Sequence, residues 1–375
     1  MMKVLLISHT CQSRTEGQPR AHELAALPDI ELTLLTPDRW KRYGDWRRAQ
    51  KPREAEFRFI EGKVMWPWSG PGQTYLHWYP ALPRLLKQWQ PDIIDLWEEP
   101  WSLVAAQTCF WRDRVCPAAK IVAETEQNID KRLPPPFENF RHYVLSRADF
   151  LFGRNTESVE ILRRKGYAGP AEVVPNAVDV ELFTRQNREP TRVANGWNGF
   201  VVGYAGRLVE SKGVFDLLDA FGQIENAQLV FIGEGEARDA LEKRAGANVR
   251  FLGAQSLEQL PPLFSALDCL VLPSRTTASW KEQFGRVLIE AASCGVPVVG
   301  SDSGAIPDVI GRGENAMGLT FAEGDANALA AALMRLQSEP QWAKQLGETG
   351  ARRAREEFSW ARVAMRLAEI YRGLQ

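Results

Sequence analysis

The sequence predicts an α/β protein built from two Rossmann-like, doubly wound domains. Short β-branched segments alternate with longer amphipathic segments, which is typical of βα units and a parallel sheet. This alternation starts again in the second half of the 375 residues, and a chain of this length exceeds what one compact core usually holds. We therefore expect an N-terminal domain over residues 1–182 and a C-terminal domain over 183–359, with a linker near 180–198.

Five strands and two helices are predicted in the first half. The N-terminal segment MMKVLLISHT is too short an apolar run for a signal peptide and is typical of a buried strand. The helix SVEILRRKG is expected to end at Gly166. The predicted strands are KVLLIS, IELTLLT, DIIDLW, KIVAET and FLFGRN, and the other helix is GQPRAHELAAL.

The second half repeats this order of elements. SLEQ predicts a capping box at the start of one helix. In doubly wound sheets ligands bind beyond the carboxyl ends of the strands, so functional residues are expected in the turns that follow strands. The predicted strands are GFVVGYAG, AQLVFIG, VRFLG, CLVLPS and VPVVGS, and the remaining helices are GVFDLLDAFGQI, ARDALEKRAG and GRVLIEAASCG.

Composition excludes several classes of protein. The net charge of −1 argues against general binding of nucleic acid, which needs a basic surface. No apolar run approaches the ~20 residues of a membrane span. The five cysteines contain no Cys-x-x-Cys pair, which predicts reduced thiols in the cytoplasm. The four histidines are scattered and show no metal-ligand spacing.

The segment YAGRLVESKG is a candidate phosphate site. Arg207 follows a predicted strand, and Lys212 comes just before the next helix, where free backbone amides already favour an anion. The segment is neither a Walker motif nor a dinucleotide fingerprint, so an oxidoreductase is disfavoured. The alternative is a pair of solvated cations near a turn.

The segment FIGEGEARDAL places two glycines after the next strand. Gly233 and Gly235 allow a close approach of the backbone to a ligand, and Glu234 could accept a hydrogen bond from a ligand hydroxyl. The alternative is an ordinary turn followed by an acidic helix start.

The segment SWKEQFGRVLIEAASCG places carboxylates before and within one helix. Glu282 and Glu290 would be separated by up to about 12 Å along the helix axis, which suits the two ends of a nucleotide sugar. The first amides of the helix, at Phe284, Gly285 and Arg286, would face the diphosphate. The alternative gives Glu290 a buried hydrogen bond and Glu282 a role at the helix start.

Taken in order, these motifs resemble those of the retaining glycosyltransferases of family four, which have the GT-B fold of two Rossmann-like domains facing a central cleft. GRLVESKG resembles the family's diphosphate clamp, IGEGE its glycine-rich turn and KEQFGRVLIEA its Glu-x7-Glu motif. VPNAVDVELF resembles the family's exit from the N-terminal domain. FSWARVAMRLAEIYRGL resembles its closing helix, so residues 360–375 would pack back on the N-terminal domain.

The resemblance implies an acceptor-binding N-terminal domain and a C-terminal domain that binds a nucleotide-diphosphate sugar. Arg207 and Lys212 would neutralise the diphosphate. Glu290 would hold the ribose, and Glu282 would contact the hydroxyls of the donor sugar; Glu282, Arg207 and Lys212 are the expected catalytic residues. The further donor contacts that it implies are Gly17, Gly206, Gly233, Glu234, Gly253, Ala254, Phe284, Gly285, Arg286 and Val287.

One position departs from the family. Family members commonly have a histidine after the strand that here is IVAETEQN, and this chain has Glu126 at the matching place. A carboxylate cannot donate a hydrogen bond unless it is protonated. Glu124 and Glu126 are therefore expected to contact the acceptor or the sugar, with a polar loop entry as the alternative.

The expected reaction needs neither a metal ion nor a cofactor. The chain has no Asp-x-Asp motif, so protein cations and a helix dipole would stabilise the departing diphosphate. The acceptor hydroxyl would attack from the same face, which gives retention, and the leaving phosphate would take its proton. The alternatives are a nucleotide-sugar epimerase of the same fold and a non-catalytic nucleotide-sugar binding protein.

The acceptor side, meaning the N-terminal domain that is expected to bind the acceptor, is rich in tryptophan and has a segment rich in positive charge. Residues 39–53 carry seven cations and one acid, a local net charge of +6. That charge suits an anionic membrane at the inner face of the plasma membrane or a lipid-linked acceptor in cell-envelope polysaccharide synthesis; a solvated flexible loop is the alternative. Nine of the thirteen tryptophans precede residue 112, and exposed ones would suit a saccharide acceptor or a membrane interface: Trp40, Trp46, Trp66, Trp68, Trp78, Trp89, Trp97, Trp101 and Trp111.

Overall fold

A computed structural model describes residues 1–42, 45–65 and 71–375. The chain divides into two compact units, each built on a parallel sheet. The first unit comprises Met1–Pro175 and Trp360–Gln375, and the second comprises Asn176–Ser359. The division lies a few residues before the predicted one at 182 and 183.

The sheet of the first unit has seven strands in the order β5-β2-β1-β6-β7-β8-β9. All of its neighbouring strands are parallel. The five predicted strands are confirmed as β1, β2, β6, β7 and β8, whereas the short edge strands β5 and β9 were not predicted. The strands of this unit are β1 Met2–Ile7, β2 Ile30–Pro37, β3 Arg39–Arg42, β4 Asp45–Arg48, β5 Arg58–Gly62, β6 Ile93–Leu96, β7 Lys120–Thr125, β8 Phe150–Gly153 and β9 Ala171–Val173.

Part of the basic segment 39–53 is an antiparallel hairpin formed by β3 and β4, whereas residues 49–53 belong to no helix or strand. Both predicted helices of the first half are confirmed, as α1 and α6. The helices before the second unit are α1 Gln18–Ala25, α2 Pro71–Leu76, α3 Leu82–Trp89, α4 Leu103–Val115, α5 Phe137–Leu145 and α6 Thr156–Arg164.

The sheet of the second unit has six strands in the order β12-β11-β10-β13-β14-β15. All of these pairs are parallel, and the five predicted strands are confirmed as β10 to β14. The strands are β10 Phe200–Ala205, β11 Ala227–Ile232, β12 Val249–Phe251, β13 Cys269–Leu272, β14 Val298–Ser301 and β15 Gly318–Phe321.

The predicted helices of the second unit are confirmed as α8, α9 and α11. The predicted capping box is also present, because the Gln259 side chain accepts from the Ser256 amide at 2.8 Å. The remaining helices are α7 Glu189–Asn195, α8 Val214–Phe221, α9 Arg238–Arg244, α10 Leu260–Ser265, α11 Arg286–Ser293, α12 Ile306–Ile310, α13 Ala326–Ser338, α14 Pro340–Glu356 and α15 Trp360–Gly373. Short 3-10 turns lie at Thr10–Gln12, Glu210–Lys212, Leu257–Gln259 and Gly313–Asn315.

Helices cover both faces of the second sheet. Alternate residues of a strand point to opposite faces, and alternate residues of β10 enter two separate apolar clusters: Val201 and Ala205 in one, Val202 and Tyr204 in the other. The first cluster includes residues of α10, α11 and α12, and the second includes residues of α8, α9 and α13. This is the doubly wound arrangement that the sequence predicted.

The segment 180–198, predicted as a linker, belongs to the second unit. It contains α7, whose Arg192 binds Asp268 at 2.5 Å, while the preceding Arg188 binds the same carboxylate at 2.7 Å. Trp197 is buried against the core of the unit. The polar composition of this segment therefore reflects ion pairs with the start of β13 and not an open connection.

The last helix, α15, completes the core of the first unit. Its Tyr371 donates to Asp95 on β6 at 2.5 Å. Arg20 on α1 binds Asp95 and also Glu124 on β7, the latter at 2.7 Å, and Arg154 binds the second oxygen of Glu124 at 2.5 Å. The charged groups of this cluster are buried, and each is paired with an opposite charge.

Removal of Arg20 is expected to be costly because it leaves two buried carboxylates short of a cation. Arg20→Ala should lower the free energy of unfolding of the first unit by about 3–5 kcal/mol. Arg372→Ala removes an exposed ion pair with Asp29 and should cost about 0–1 kcal/mol. Urea unfolding followed by tryptophan fluorescence would measure both, and equal small losses would contradict this account of the cluster.

Candidate functional site

The predicted donor residues of the second unit lie at the switch point of its sheet. From β10 the chain proceeds to β11 and β12 on one side, and β13, β14 and β15 lie on the other. A crevice opens between the carboxyl ends of two such strands, and ligands of doubly wound sheets bind there. Arg207 and Lys212 follow β10, and Glu282 follows β13.

Lys212 and Glu282 contact each other across this switch point. The Lys212 ammonium lies 2.6 Å from Oε2 of Glu282, and the Ser274 hydroxyl donates to the same oxygen at 2.8 Å. The ammonium also lies 4.5 Å from the centre of the Trp280 ring. Glu282 is buried, so the contacts fix a cation and a carboxylate side by side at the carboxyl edge.

Arg207 presents an exposed guanidinium in the segment after β10 that also carries Lys212. Its backbone is held in place, because its carbonyl accepts the Tyr204 hydroxyl at 2.6 Å. Among the described residues its guanidinium has no ion-pair partner, unlike the ammonium of Lys212. An anion bound at this edge would therefore find one cation not neutralised by a carboxylate.

Glycines bring three neighbouring turns of this edge into contact. Gly233 has φ +142°, and a Cβ there would lie 1.9 Å from the carbonyl oxygen of Gly206. The Gly233 amide donates to the Gly253 carbonyl at 2.8 Å. Glu234 is exposed and ion-paired with Arg238, and the neighbouring Ala254 is exposed. The turns after β10, β11 and β12 thus form a continuous backbone surface.

The helix α11 begins where the carboxylate motif predicts. Gly285 precedes it with φ +81°, and a Cβ there would lie 2.7 Å from the Leu272 side chain. Phe284 is buried and packs edge-on against Phe358, with ring centres 6.0 Å apart. The side chain of Phe284 therefore belongs to the core, and only its backbone can contact a ligand.

Glu290 lies within α11 and is buried. Burial raises the pKa of its carboxyl, and the nearby charge of Arg286 opposes that shift. Arg286 is exposed, and its guanidinium lies 3.6 Å from the Glu290 carboxylate; the adjoining Val287 is half-buried. A buried carboxyl whose ion pair with Arg286 is longer than a hydrogen bond suits hydrogen bonds to the hydroxyl groups of a ligand.

In the first unit, Gly17 and the two predicted glutamates have different surroundings. Gly17 precedes α1, where a Cβ would lie 2.6 Å from the backbone of Cys11. Glu124 is buried, and both of its oxygens bind arginines, which argues against the predicted contact of Glu124 with acceptor or sugar. Glu126 follows β7 and is partly exposed, with Arg154 at 3.9 Å, so its carboxylate is accessible.

The sequence interpretation missed acidic residues at the end of β6. Glu98 binds His9 at 2.8 Å. Glu99 accepts from the Thr125 hydroxyl at 2.6 Å and from the Glu126 amide at 3.0 Å, and burial raises its pKa to about 8 despite those bonds. Two glutamates directly after the predicted strand DIIDLW were the available signal, because they lie at a carboxyl end.

The aromatic and basic residues of the acceptor side divide between core and surface. Trp40, Trp97 and Trp101 are buried, whereas Trp46 on β4 is 48% exposed. Arg47 and Arg48 beside it are exposed. Trp66 and Trp68, two of the predicted contacts, lie outside the described residues.

Within residues 1–42, 45–65 and 71–375, no group of three or more His, Cys, Asp or Glu side chains could hold a metal ion. None of the described helices combines the length and the apolar composition needed to cross a bilayer.

Residues 187–353 match the family model described as "Glycosyl transferases group 1". This segment contains the Arg207, Lys212, Glu282 and Glu290 positions. The match therefore falls on the candidate site of the second unit.

Curated relatives extend this similarity. A GDP-mannose-dependent monoacylated alpha-(1-6)-phosphatidylinositol monomannoside mannosyltransferase of Corynebacterium glutamicum is 30% identical over 53% of this chain and 55% of its own length. A D-inositol 3-phosphate glycosyltransferase of Corynebacterium jeikeium is 28% identical over 75% of this chain and 68% of its own length. The chain thus spans between about half and two-thirds of these two relatives. The matches support a glycosyltransferase.

Solved structures share the whole fold. A sucrose-phosphate synthase of Thermosynechococcus elongatus has a TM-score of 0.75 at 21% identity, over 100% of this chain and 99% of that one. Anabaena HepE in complex with UDP has a TM-score of 0.75 at 17% identity, over 100% of both chains. The fold is GT-B, with two Rossmann-like units, as predicted.

The raised pKa of Glu290 predicts a pH-dependent stability. Below about pH 4.5 the carboxyl is protonated in both the folded and the unfolded state. As the pH rises through the raised folded-state pKa, the parent protein loses stability that Glu290→Gln keeps. The free energy of unfolding of Glu290→Gln should therefore exceed that of the parent increasingly as the pH rises from 4.5 to the raised folded-state pKa.

Urea unfolding at a series of pH values would measure this difference. Glu236→Gln changes an exposed carboxylate of the same unit and should follow the parent at every pH. A Glu290→Gln difference that stays constant with pH would contradict the assignment.

Proposed function

We propose that this protein is a retaining glycosyltransferase that moves a sugar from a nucleotide-diphosphate sugar to a hydroxyl group of a glycan, a lipid-linked molecule or a small molecule. The contact of Lys212 with Glu282 at the switch point of the second sheet carries this proposal. It places a cation for phosphate beside a carboxylate for sugar hydroxyls.

The diphosphate of the donor binds Arg207 and Lys212. Arg207 contributes a guanidinium that the protein does not neutralise, and Lys212 is oriented by Glu282 and by the Trp280 ring. The turns after β10, β11 and β12, which contain Gly206, Gly233 and Gly253, let the ligand approach the backbone. The amides at the start of α11, after Gly285, add donors and a favourable dipole.

The two carboxylates bind the ends of the donor. Glu282 accepts hydrogen bonds from the sugar. Ser274 and Lys212 also donate to Glu282 and hold its carboxylate in position. Glu290 lies within α11, about one turn after its first residue, and accepts from the ribose hydroxyls. Its burial strengthens such bonds, because competing water is excluded.

The leaving diphosphate is stabilised without a metal ion or other cofactor. Arg207, Lys212 and the α11 dipole supply the positive potential at the atom where charge develops. Attack of the acceptor hydroxyl on the same face of the sugar gives retention of configuration. These residues thus serve binding in the ground state and catalysis in the transition state.

The first unit binds the acceptor. The mannosyltransferase relative is named for a phosphatidylinositol mannoside acceptor, and the HepE structures hold UDP and UDP-glucose. Together with the basic hairpin of β3 and β4, these names support a saccharide or lipid-linked acceptor in cell-envelope polysaccharide synthesis. The free cysteines support a cytoplasmic protein, and the basic hairpin supports a place at the inner face of the membrane.

An epimerase of the same fold and a non-catalytic binding protein remain the alternatives. An epimerase isomerises the donor in the absence of acceptor, whereas a transferase does not. A binding protein takes up the nucleotide sugar without releasing nucleoside diphosphate. Incubation with donor alone and with donor plus acceptor, followed by chromatography of the sugar and the nucleotide, distinguishes the three.

Lys212→Ala should reduce turnover by about 100-fold or more, since one cation that stabilises the leaving group is lost. Before this measurement, the donor is identified as the UDP-, GDP-, ADP- or dTDP-sugar that stabilises the parent against unfolding. A ligand at 100 times its dissociation constant stabilises the parent by ~2.7 kcal/mol. Turnover is then measured as release of nucleoside diphosphate in the presence of EDTA.

Two variants control this experiment. Lys243→Ala removes an exposed lysine of the same unit and should keep parental turnover. Glu282→Gln should lose turnover as Lys212→Ala does. Parental turnover in Lys212→Ala, with unchanged folding, would remove Lys212 from the site.

The hairpin of β3 and β4 should bind anionic vesicles. Exposed Arg47 and Arg48 each contribute about 1 kcal/mol near an anionic surface, so replacing both with Glu should abolish flotation with phosphatidylglycerol vesicles at physiological salt. Arg84→Glu with Lys87→Glu makes the same charge change on α3 and should float as the parent does. If the parent itself does not float, the membrane proposal fails.

A further inference from the structure

A cavity lies at the amino-terminal edge of the second sheet, opposite the candidate donor site. Its lining includes Phe200 at the start of β10, Asp268 directly before β13 and Pro297 directly before β14. Because these strands are parallel, the three positions share one edge, whereas Lys212 and Glu282 lie at the other. The volume of the cavity is about 520 Å³, which is within the range of small-molecule sites.

The elements around the cavity pack closely against one another. A Cβ at Gly347 on α14 would lie 2.3 Å from the carbonyl oxygen of Gly295, which follows the end of α11. A Cβ at Gly295, which has φ +76°, would lie 2.7 Å from Nε of Arg185. The two glycines therefore let α14 and the Arg185 segment approach the end of α11. The cavity is thus a space between closely packed elements and not a result of loose packing.

The floor of the cavity is apolar. Leu267, Val296 and Leu336 are each no more than 3% exposed, yet all three line the cavity. Phe200, which is half-buried, adds an aromatic ring. A ligand that places an apolar body on this floor removes apolar surface from water, which favours binding.

Positive charge surrounds this apolar floor. Among the described residues that line the cavity, three carry a positive charge: Arg185, Arg188 and Lys344. One, Asp268, carries a negative charge, so the net charge of the lining is +2. The Asp268 carboxylate also binds Arg192 at 2.5 Å, so its charge is already paired within the protein. The cavity therefore attracts anions.

The protein holds the two arginines of the lining in place. Nη2 of Arg185 donates to the Gly295 carbonyl at 3.0 Å, and Nη2 of Arg188 binds Asp268 at 2.7 Å. An arginine that is already ordered loses less conformational freedom when it binds a ligand. The planar guanidinium also matches the geometry of carboxylate and phosphate groups.

We propose that this cavity binds a small organic anion, with a phosphate or carboxylate group near the basic side chains and an apolar body on the floor. The net charge favours an anion over a neutral molecule, and the buried side chains favour an apolar body over an inorganic ion. Binding here does not depend on the proposed function, since none of the described lining residues belongs to the predicted donor contacts.

The first test uses phenyl phosphate as the probe and the methyl signals of leucine- and valine-labelled protein as the readout. The Val296 signals, assigned by their loss in Val296→Ile, should shift and saturate as phenyl phosphate is added. Benzyl alcohol lacks the anion and inorganic phosphate lacks the apolar body, so each should bind at least about tenfold more weakly. Phenylacetate tests the carboxylate in the same way.

Two results of this titration would overturn the proposal. One is the lack of saturation of the Val296 signals up to about 10 mM of either organic anion. The other is an equal affinity for benzyl alcohol, because the positive charge of the lining would then have no role.

The second test changes the charge of the lining with Lys344→Glu. This lysine is 60% exposed, and its ammonium lies 3.7 Å from Glu348 on the same helix, so the substitution should not affect folding. It lowers the net charge of the lining by two, and the affinity for phenyl phosphate should fall at least about tenfold. The affinity for benzyl alcohol should not change.

Lys243→Glu is the matched control, because it makes the same charge change at an exposed position of α9 and should bind phenyl phosphate as the parent does. Affinity in Lys344→Glu within about twofold of the parent would contradict the proposal. An equal loss of affinity in both variants would contradict it as well, since the effect would then come from the overall charge of the protein.

Lys212→Ala distinguishes this cavity from the candidate donor site, where the phosphate of the probe could also bind. The Val296 titration should be unchanged in Lys212→Ala. A weaker titration in that variant would show that binding at the donor site moves the Val296 signals, and the proposal would fail. If the parent binds no sugar nucleotide but the Val296 titration is as expected, only the proposed function fails.

Discussion

The direction of parallel strands constrains both units more than any other feature. Because every paired strand of each main sheet is parallel, the turns that follow the strands meet at one edge. In each unit the two strands at the switch point carry oppositely charged or titratable partners. Lys212 and Glu282 meet there in the second unit, and His9 and Glu98 meet there in the first. The chemistry of the protein follows from that shared geometry.

Buried charge serves two different purposes in this molecule. Arg20 and Glu124 lie in an enclosed cluster of paired charges, and such a cluster fixes the packing of helices on the first sheet. Glu282 is also buried, yet its partner Lys212 follows the same strand, β10, as exposed Arg207 at the carboxyl edge. Glu124 and Glu282 are both buried, so burial of the carboxylate does not distinguish a structural acid from a candidate functional one. The distinguishing feature is that the surroundings of Glu282 have access to solvent.

The strands and the second-unit site could be predicted because their signals are local. β-branched runs mark β10 to β14, and eight-residue spacing joins Glu282 to Glu290 through one loop and one helix. Other features depend on partners distant in sequence. His9 and Glu98 are 89 residues apart, and Arg20 reaches Glu124 over 104 residues. The helix α7 was missed because its Arg192 and the preceding Arg188 pair with Asp268, which no local pattern reveals.

The contribution of α15 to the first unit has a consequence for synthesis on the ribosome. Residues 176–359 are contiguous and contain every strand of the second sheet, whereas the first unit also needs Trp360–Gln375. Until Tyr371 has been translated and has left the exit tunnel, buried Asp95 lacks one of its two hydrogen-bond donors. The unit that is translated first is therefore the last to complete its native contacts.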